Sequence, residues 1–585
     1  MKTLFTNILS SGPRKHAWGV LVLLAALSLA PYANSLWFDF VWDDRALILE
    51  NAYVQDSRLL GEGLISDFWR SPDDPERQRF FFRPLVTLSY FFDHVLWEQR
   101  PAGYHATNLL LHLINVLLVY SCFSVLTSRE LAFVSAAIFA VHPMHTESVT
   151  WISGRTDLLA SAFVLGSFRC YLAIAGRSWD TLRGIAVALL YLLALLAKEV
   201  SIVLPGALAF HLRWMSSPND EARRFRWATL SSLLAIGLTF VVLRMQVLQM
   251  PVWVDTERPF WLLLFNLPRI LSRYVLKLVF PFRLYAHDPL EWAFPDQWPA
   301  VVLAILILLA TTLAVTWLGK RDRNALFGGV WLVVFLLPVL NAGTFTDVLV
   351  AERFLYLPSV GFCLIAASGY GIARQNEVWR PIVQWAAVAA ILVAGAGTWQ
   401  RNNVWRNEIV LFEEIHRTSP NFLLPHRALA NAYLQHGFPE NAIEEFRHVL
   451  ERVPGDCGVL NNLALGYLDL GVQNRSGDAL DAGFHLAQEA VGLCPDEDTL
   501  HHTLGEYYLR LGVENSLHLA LAQFQYALSL NPSRAAYHYE IGSILVELGQ
   551  TMEAQPYLAE YIRLAPDGER RQRAMNWLEL EPASP

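Results

Sequence analysis

Apolar residues are concentrated in the first two-thirds of the chain, in runs of about 18 to 22 residues, the length of a helix that spans a bilayer. The pattern predicts eleven membrane helices: about 17–36, 105–126, 131–145, 157–175, 182–198, 201–215, 228–248, 299–319, 325–342, 354–373 and 381–400. From about Asn403 the chain becomes polar and amphipathic. We therefore predict an all-α protein, with a membrane domain over 1–402 and a soluble helical domain over 403–585.

The stretch 260–284 is apolar but is interrupted by Pro268, Arg269, Arg273, Lys277 and Pro281. Basic residues mark the cytoplasmic side of a membrane protein, and Arg14 and Lys15 place the N-terminus there. Lys320 and Arg323 then stay cytoplasmic only if 260–284 does not cross the bilayer. We expect this stretch to be interfacial or re-entrant on the outer side. Eleven spans then place the C-terminal domain outside the cytoplasm.

The C-terminal domain carries an internal repeat. Pro454, Pro495, Pro532 and Pro566 are 41, 37 and 34 residues apart. The period of the tetratricopeptide repeat is 34, and the first two spacings exceed it by about two turns and one turn of helix. Small and large residues recur at the positions that such a repeat needs for packing. The sequence therefore predicts an α-solenoid of four repeats.

Solenoids of this kind commonly bind an extended segment along their concave side. Polar residues on the groove-facing side of the first helices are candidate contacts for such a segment: Arg427, Asn431, Asn461, His502, Glu506 and Tyr539. The alternative for each is an ordinary solvated polar residue. We predict that this groove holds an exported protein.

Net charge and cysteine positions limit the functions and the compartment that the chain can have. The net charge of -8 disfavours a nucleic-acid partner. Three of the five cysteines, Cys122, Cys170 and Cys363, fall in apolar runs and are interpreted as core residues. Cys457 and Cys494 lie in the polar region, where they could form a disulfide in an oxidising compartment.

Polar residues gather at the predicted outer ends of the spans, whereas the inner loops are ordinary Arg-rich connectors. Asp43 and Asp44 follow the first apolar run directly, and a carboxylate pair beside a bilayer more often marks chemistry than packing. Further candidates in the outer segments are Arg83, His142, His145, Glu147, Arg155, Asp157, Lys198, Glu199, Glu352 and Arg353. This asymmetry predicts an outward-facing active site.

Carboxylates next to cations at membrane depth suit a lipid-linked phosphosugar. One Asp would remove a proton from an acceptor hydroxyl, which attacks the anomeric carbon of the sugar. The leaving group is already a phosphate, so Arg or Lys need only stabilise its charge. A single displacement inverts the anomeric carbon. The sequence leaves open whether Asp43 or Asp44 is the base.

Each group has a structural alternative. The acid pair could cap a helix at the membrane surface. Arg83 could anchor the interface, Lys198 and Glu199 could form an ion pair at a helix end, and Arg353 could snorkel to the headgroups. His142 and His145 have the i, i+3 spacing of a metal pair, but the intervening proline disturbs the helix. We favour polar contacts to acceptor or phosphate, assign no cofactor, and keep a divalent metal as the alternative.

Taken together, these segments resemble a known family. The matching motifs are Phe40–Asp44, Phe82–Leu85, Tyr104–Leu109, Val141–Glu147, Ser153–Leu159, Lys198–Glu199 and Glu352–Ser359. With the order of membrane part and repeats, they are similar to the transmembrane and tetratricopeptide-repeat O-mannosyltransferases. The resemblance implies a GT-C glycosyltransferase fold, a polyprenyl-phosphate sugar donor and a Ser or Thr acceptor. It also implies that Asp43 or Asp44 is the base, with Arg83, Arg155, Lys198 or Arg353 at the phosphate.

Two departures from that family shape the hypothesis. The repeat array is short, and only five lysines stand against many arginines. We predict a bacterial inner-membrane enzyme that transfers a sugar, mannose being the first candidate, from a polyprenyl phosphate to a hydroxyl of an exported protein. The alternatives are a non-enzymatic membrane scaffold that displays the repeats for secretion or polysaccharide assembly, and a GT-C transferase that acts on a glycan or lipid.

Overall fold

A computed structural model describes residues 13–72, 80–177, 179–216, 219–249, 259–340, 348–420, 423–511, 515–564 and 569–579. These residues are mostly helical and contain no β-strand, so the all-α prediction is confirmed. The chain divides into two compact units, Met1–Glu414 and Ile415–Pro585.

Helices make up most of the first unit. They are α1 (Pro13–Leu29), α2 (Pro84–Trp97), α3 (Pro101–Leu126), α4 (Arg129–Val141), α5 (Arg155–Leu172), α6 (Asp180–Ala197), α7 (Leu204–Phe210), α8 (Asp220–Leu248), α9 (Phe260–Val279), α10 (Trp298–Gly319), α11 (Arg323–Leu336), α12 (Ser359–Ala373) and α13 (Arg380–Asn402). Helix α14 (Glu408–Thr418) follows. Short helical turns, such as Glu199–Val203 and Glu352–Leu355, connect several of them.

Six helical stretches of the described residues are long and apolar enough to cross a bilayer. They are Trp18–Trp37, Pro101–Leu126, Asp180–Ala197, Asp220–Leu248, Pro295–Gly319 and Arg380–Trp405. Helices α4, α5, α7, α11 and α12, with their flanking turns, occupy the other five predicted spans. The number of helices that cross the membrane therefore stays a prediction.

Helix α9 occupies the stretch that charge placement predicts to be interfacial. It is amphipathic: Asn266 and Lys277 are buried, whereas Phe260 and Trp261 on the other side are exposed. An exposed aromatic face beside a polar buried face suits a helix at the edge of a bilayer.

The core of the first unit lies among helices that pack pairwise. Helix α3 packs on α4 and α5, α5 packs on α6, and α4 packs on α12. Helices α11 and α12 approach most closely where Gly361 meets Gly328, because a Cβ atom at Gly361 would lie 2.2 Å from the Gly328 carbonyl oxygen. Small residues permit such backbone contact between membrane helices.

The second unit is built from helix pairs. They are α15 (Leu423–Gln435) with α16 (Pro439–Arg452), α17 (Cys457–Asn474) with α18 (Gly477–Leu493), α19 (Asp498–Leu511) with α20 (Ser516–Leu530), and α21 (Ala535–Glu547) with α22 (Thr551–Leu564), followed by α23 (Glu569–Glu579). Pro454, Pro495 and Pro532 lie in the turns between pairs, and Pro566 lies outside the described residues. The described residues of 423–564 thus form four helix pairs, and their division into four repeats stays a prediction.

The 41-residue spacing between Pro454 and Pro495 has a structural cause. Helices α17 and α18 contain 18 and 17 residues, whereas α15 and α16 contain 13 and 14, so the additional residues lengthen both helices of that pair. A disulfide joins Cys457, the first residue of α17, to Cys494, directly after α18, with the Cα atoms 6.4 Å apart. The pair is therefore closed covalently at one end.

Candidate active site

The candidate acids lie in a sharply bent segment after the first apolar helix. Trp42 has a φ of 55°, a left-handed conformation that is strained for a bulky side chain. Its indole stacks on Trp151, with ring centroids 5.7 Å apart and planes 27° from parallel. Trp151 in turn stacks on Trp405 at 5.5 Å. These aromatic contacts hold the bend that presents the acids.

Asp44 is fully buried, and both of its oxygens accept hydrogen bonds. Oδ2 accepts from the backbone nitrogen of Val41 at 3.0 Å. Oδ1 accepts from the backbone nitrogen and the hydroxyl of Ser153, at 2.9 and 2.5 Å. Burial raises the pKa of the Asp44 carboxyl to about 7, against the lowering effect of these hydrogen bonds. Asp44 therefore ties the first outer segment to the turn before α5.

Asp43 has a different environment. It is half-buried, and its charge acts on the guanidinium of Arg353. Burial alone would lower the pKa of Arg353, but the charges of Glu147, Asp43 and Asp157 outweigh it and raise that pKa. The two neighbouring acids thus differ in exposure and in partner.

Arg353 is fixed by a buried carboxylate. Its backbone nitrogen donates to Glu147 Oε2 at 2.8 Å, and its Nη1 contacts Oε1 of the same side chain. Glu147 is fully buried, and burial raises its pKa despite the lowering effect of Arg353. The turn over residues 147–154 needs glycine at position 154, because a Cβ atom there would lie 2.7 Å from the Glu147 carbonyl oxygen. The side chain of Arg353 keeps 25% of its surface exposed.

Two more ion pairs lie at helix ends. Lys198, at the end of α6, donates to Asp157 on the first turn of α5 at 2.6 Å. Arg83, directly before α2, makes a two-point contact with Glu199 at 2.8 and 3.2 Å. Burial would raise the pKa of Glu199, but the charge and hydrogen bonds of Arg83 outweigh it and lower the pKa to about 2. Lys198 and Glu199 thus each form an ion pair, with Asp157 and Arg83 respectively, whereas the structural alternative paired them with each other.

Phe354 connects these groups. Its ring centroid lies 5.5 Å from Lys198 Nζ and 5.1 Å from the guanidinium carbon of Arg353. A small cleft opens here, with Asp157, Lys198 and Phe354 in its wall. The rest of its lining is apolar except for two hydroxyl groups: Ala160, Ser161, Val200, Ser201, Val339, Leu357 and Pro358. The cleft therefore offers charge beside an apolar surface.

Other predicted residues point into the protein interior. Arg155 is fully buried, where it forms an ion pair with Asp93 and donates to Asn108 Oδ1 at 2.8 Å. Glu352 bonds to Lys277 Nζ at 2.8 Å. Arg155 and Glu352, which the sequence analysis assigns to substrate binding, are therefore bonded to other residues of the protein.

The two histidines of the HxxH motif are also engaged by protein atoms. His142 Nε2 lies 3.0 Å from the Leu278 carbonyl oxygen. His145 lies 2.9 Å from the Phe139 carbonyl oxygen and 2.8 Å from Ser359 Oγ, through its two ring nitrogens. Each histidine thus holds neighbouring segments together.

Ser153 and Phe354 received no role from sequence reasoning, although both lie within motifs that match the family. The signal for Ser153 was its place directly before Gly154 and Arg155 in the second outer segment. Its contact with Asp44 spans 109 positions, which no local pattern reports.

The six candidate groove residues lie on the first helices of their pairs. Asn431 accepts from Asn462 at 2.9 Å, and Asn461 donates to Asn462 at 3.3 Å. Arg427 lies 3.5 Å from Asp456 and keeps 46% of its side chain exposed. Arg427 is exposed and Asn431 half-buried, whereas Asn461 is buried and does not face solvent as the groove prediction requires.

The remaining three lie in the last two pairs. His502 contacts Tyr537, with ring centroids 5.4 Å apart, and Tyr539 contacts Trp577 at 5.7 Å. Glu506 is half-buried. Their role in binding stays a prediction.

Comparison with known proteins confirms the resemblance that the motifs indicate. No protein-family model matches the chain. The chain is a relative of the TMTC protein O-mannosyl-transferases. It is 26% identical over 583 residues to TMTC3 of Mus musculus, covering 91% of this chain and 62% of that protein. It is 27% identical over 541 residues to Tmtc3 of Drosophila melanogaster, covering 79% and 58%. The chain thus spans about three-fifths of the length of these relatives.

Solved structures match about a third of the chain. A thermophilic TPR protein of Thermus thermophilus is matched over its whole length and 36% of this chain, with 23% identity and a TM-score of 0.27. The pilF protein of Pseudomonas aeruginosa is matched over 82% of its length and 36% of this chain, with 19% identity and a TM-score of 0.24.

Proposed function

We propose that the chain is an inverting glycosyltransferase that moves a sugar, mannose being the first candidate, from a polyprenyl phosphate to a Ser or Thr hydroxyl of an exported protein. The names of its relatives support a protein O-mannosyl-transferase. The observation that carries the proposal is the half-buried Asp43, whose charge acts on Arg353, together with the contacts of Arg353 and Lys198 with the ring of Phe354.

Asp43 is the base in this proposal, and Asp44 is a positioning residue. A base must reach the hydroxyl proton of an incoming acceptor. Both oxygens of Asp44 are occupied by Val41 and Ser153 inside the protein. Asp43 is the more exposed of the two, and the strained Trp42 bend presents it. The burial of Asp44 and the exposure of Asp43 support this division of labour.

Arg353, Lys198 and Arg83 bind the donor phosphate. Each is oriented by its own carboxylate: Glu147 for Arg353, Asp157 for Lys198 and Glu199 for Arg83. A guanidinium has five N–H donors and an ammonium has three, so donors remain for phosphate oxygens after each ion pair forms. As the bond from sugar to phosphate breaks, these cations stabilise the charge on the leaving oxygen.

The disulfide supports a location outside the cytoplasm. Structural disulfides persist in oxidising compartments and are rare in the cytosol. The Cys457–Cys494 bond lies in the repeat unit, so that unit would occupy the periplasm or its equivalent, in a protein anchored in a bacterial inner membrane. There the exposed Arg427 and the half-buried Asn431 would bind an extended segment of the acceptor protein.

The test is transfer by the purified full-length chain in lipid nanodiscs, with synthetic polyprenyl-phosphate mannose and acceptor peptides rich in Ser and Thr. The parent should consume the donor and release polyprenyl phosphate, and Asp43→Asn should abolish this. Asp56→Asn is the matched control, since Asp56 lies in the same outer segment and pairs with the exposed Arg58. A parent that leaves every lipid-linked sugar intact would overturn the proposal in favour of a scaffold.

A further inference from the structure

The first repeat contains an imidazole and carboxylate cluster that the transferase chemistry does not use. His416 in the last turn of α14, His426 in α15 and Glu445 in α16 each offer one ligand atom, and these atoms all lie within 4.8 Å of one another. The rings of His416 and His426 meet edge to face with centroids 4.4 Å apart. His448 also lies against His426, with centroids 4.4 Å apart.

A comparison between repeats shows what is special about His426. Each of three repeats has a histidine six residues after a proline, and its Nε2 lies at hydrogen-bond distance from that proline's carbonyl oxygen. The pairs are His426 with Pro420 at 3.2 Å, His501 with Pro495 at 2.9 Å, and His538 with Pro532 at 3.0 Å. Because a carbonyl only accepts, Nε2 carries the proton in all three. In a neutral ring, Nδ1 is then an acceptor.

The partner of Nδ1 differs between repeats. In the third repeat, His501 Nδ1 lies 2.8 Å from Gln523 Oε1, and a 180° flip of that amide would place its NH2 group there as a donor. In the first repeat, His426 Nδ1 lies 2.7 Å from Glu445 Oε2. An ionised carboxylate has no donor, so two acceptors face each other unless a cation or a proton lies at this point.

His416 supplies the second observation. Its Nδ1 atom is buried and has no hydrogen-bond partner among the residues that the structure describes. Buried polar atoms are almost always paired, so an unpaired nitrogen on a histidine of this cluster points to a bound group. Two imidazoles and one carboxylate form a ligand set that Zn²⁺ accepts. The bond from His426 Nε2–H to the Pro420 carbonyl is the outer contact that commonly fixes the tautomer of a metal-bound histidine.

We propose that His416, His426 and Glu445 bind a divalent transition metal of the Zn²⁺ class. Tetrahedral zinc places ligand atoms about 3.3 Å apart, so the cluster must contract slightly. His416 is half-buried and lies two residues before the end of α14, where its side chain has room to adjust. The ion would cross-link three consecutive helices at the start of the repeat unit. This site is separate from the proposed transferase chemistry.

The test uses the full-length chain in detergent, with its affinity tag removed and its metal stripped by a chelator. Zn²⁺ titration by calorimetry should show one tight equivalent, and Co²⁺ should give the visible absorption of a tetrahedral complex. His416→Gln and Glu445→Gln should each weaken binding at least tenfold. Glu445→Gln recreates the His501–Gln523 pair, so it should keep the fold, as circular dichroism would verify.

His501→Gln is the matched control, because it changes the equivalent histidine in a repeat whose partner is an amide, and it should bind Zn²⁺ like the parent. Binding that is equally strong in His416→Gln and Glu445→Gln would overturn the proposal. The proposal would also be overturned if the parent bound no stoichiometric Zn²⁺. In that case the parent would be more stable than Glu445→Gln only at acidic pH. That result would assign the gap between His426 and Glu445 to a proton.

Discussion

The carboxylate of Asp44 accepts hydrogen bonds from both the backbone nitrogen and the hydroxyl of Ser153, although 109 positions separate the two residues. This contact joins the first outer segment to the turn before α5. It makes Ser153 a positioning residue for the acid pair. Ser153→Ala should leave the chain folded, with a loss of about 1–2 kcal/mol in the free energy of unfolding, since one hydrogen bond to a buried carboxylate is removed.

The effect on transfer should be larger than the effect on stability. If Asp44 positions Asp43, Ser153→Ala displaces the first outer segment. This displacement should lower kcat, while the KM for the lipid donor changes little. Ser153→Thr keeps a hydroxyl and should restore most of the rate. Steady-state kinetics with the lipid-linked sugar would decide; a rate loss in Ser153→Ala that Ser153→Thr fails to recover would point to packing instead of hydrogen bonding.

Asp44 also predicts a pH dependence of stability. Its pKa is raised by burial to about 7 in the folded chain, against an ordinary value of about 3.9 in an unfolded peptide. The folded state therefore binds the proton more tightly, and the stabilisation is complete below pH about 4 and is lost as the pH rises to about 7. The total is at most about 4 kcal/mol, since each pKa unit corresponds to about 1.4 kcal/mol.

The measurement is the thermal midpoint of the parent minus that of Asp44→Asn, followed from about pH 4 to about pH 8 across this window. This difference should fall as the pH rises and become constant above about pH 7. Asp56→Asn, on an exposed turn, serves as the reference for general effects of removing an acid. A difference that rises with pH would mean that the hydrogen bonds from Ser153 and Val41 outweigh burial.

The sequence predicts the structure best where the residue pattern follows directly from helix packing. The proline spacing and small residues define the repeats because each repeat must fit its neighbour, and even the additional turns of α17 and α18 follow from the spacing. It could not separate Asp43 from Asp44, since the difference between them is burial set by Ser153. It also assigned Arg155 to the phosphate from its charge, whereas Asp93 and Asn108 engage it inside the protein. Ion-pair partners such as Glu147 and Arg353 are 206 positions apart, and no local signal connects them.

The pairing of Glu147 with Arg353 can be separated from the role of Arg353 in transfer. Arg353→Gln leaves a buried carboxylate without its cation and should destabilise the chain by about 3–5 kcal/mol. Glu147→Gln combined with Arg353→Gln removes both charges and should recover much of that stability.

Transfer should behave differently in this double-mutant cycle. If Arg353 binds the donor phosphate, the double variant stays inactive although its stability returns. Thermal unfolding and donor consumption, measured on all four proteins, test the two effects together. Recovery of activity in the double variant would show that Arg353 serves the fold alone and remove it from the phosphate site.

The Cys457–Cys494 bond predicts both stability and location. It closes a loop with a sequence separation of 37, for which a disulfide contributes about 2–4 kcal/mol. The Cys457→Ala and Cys494→Ala double variant should therefore unfold at a lower temperature than the oxidised parent. Reduction of the parent should reproduce the shift, and the double variant should not respond to reductant.

The same bond reports the side of the membrane on which the repeat unit lies. In sealed cells, a thiol reagent that does not cross the inner membrane should label Cys457 and Cys494 only after reduction. Cys122 and Cys363 are buried and should stay unlabelled in both conditions, which makes them internal controls. Labelling without reductant, or labelling only after the cells are permeabilised, would place the repeats in a reducing compartment. That result would contradict the proposed topology, because the acceptor groove and an outward-facing Asp43 could then not serve the same exported protein.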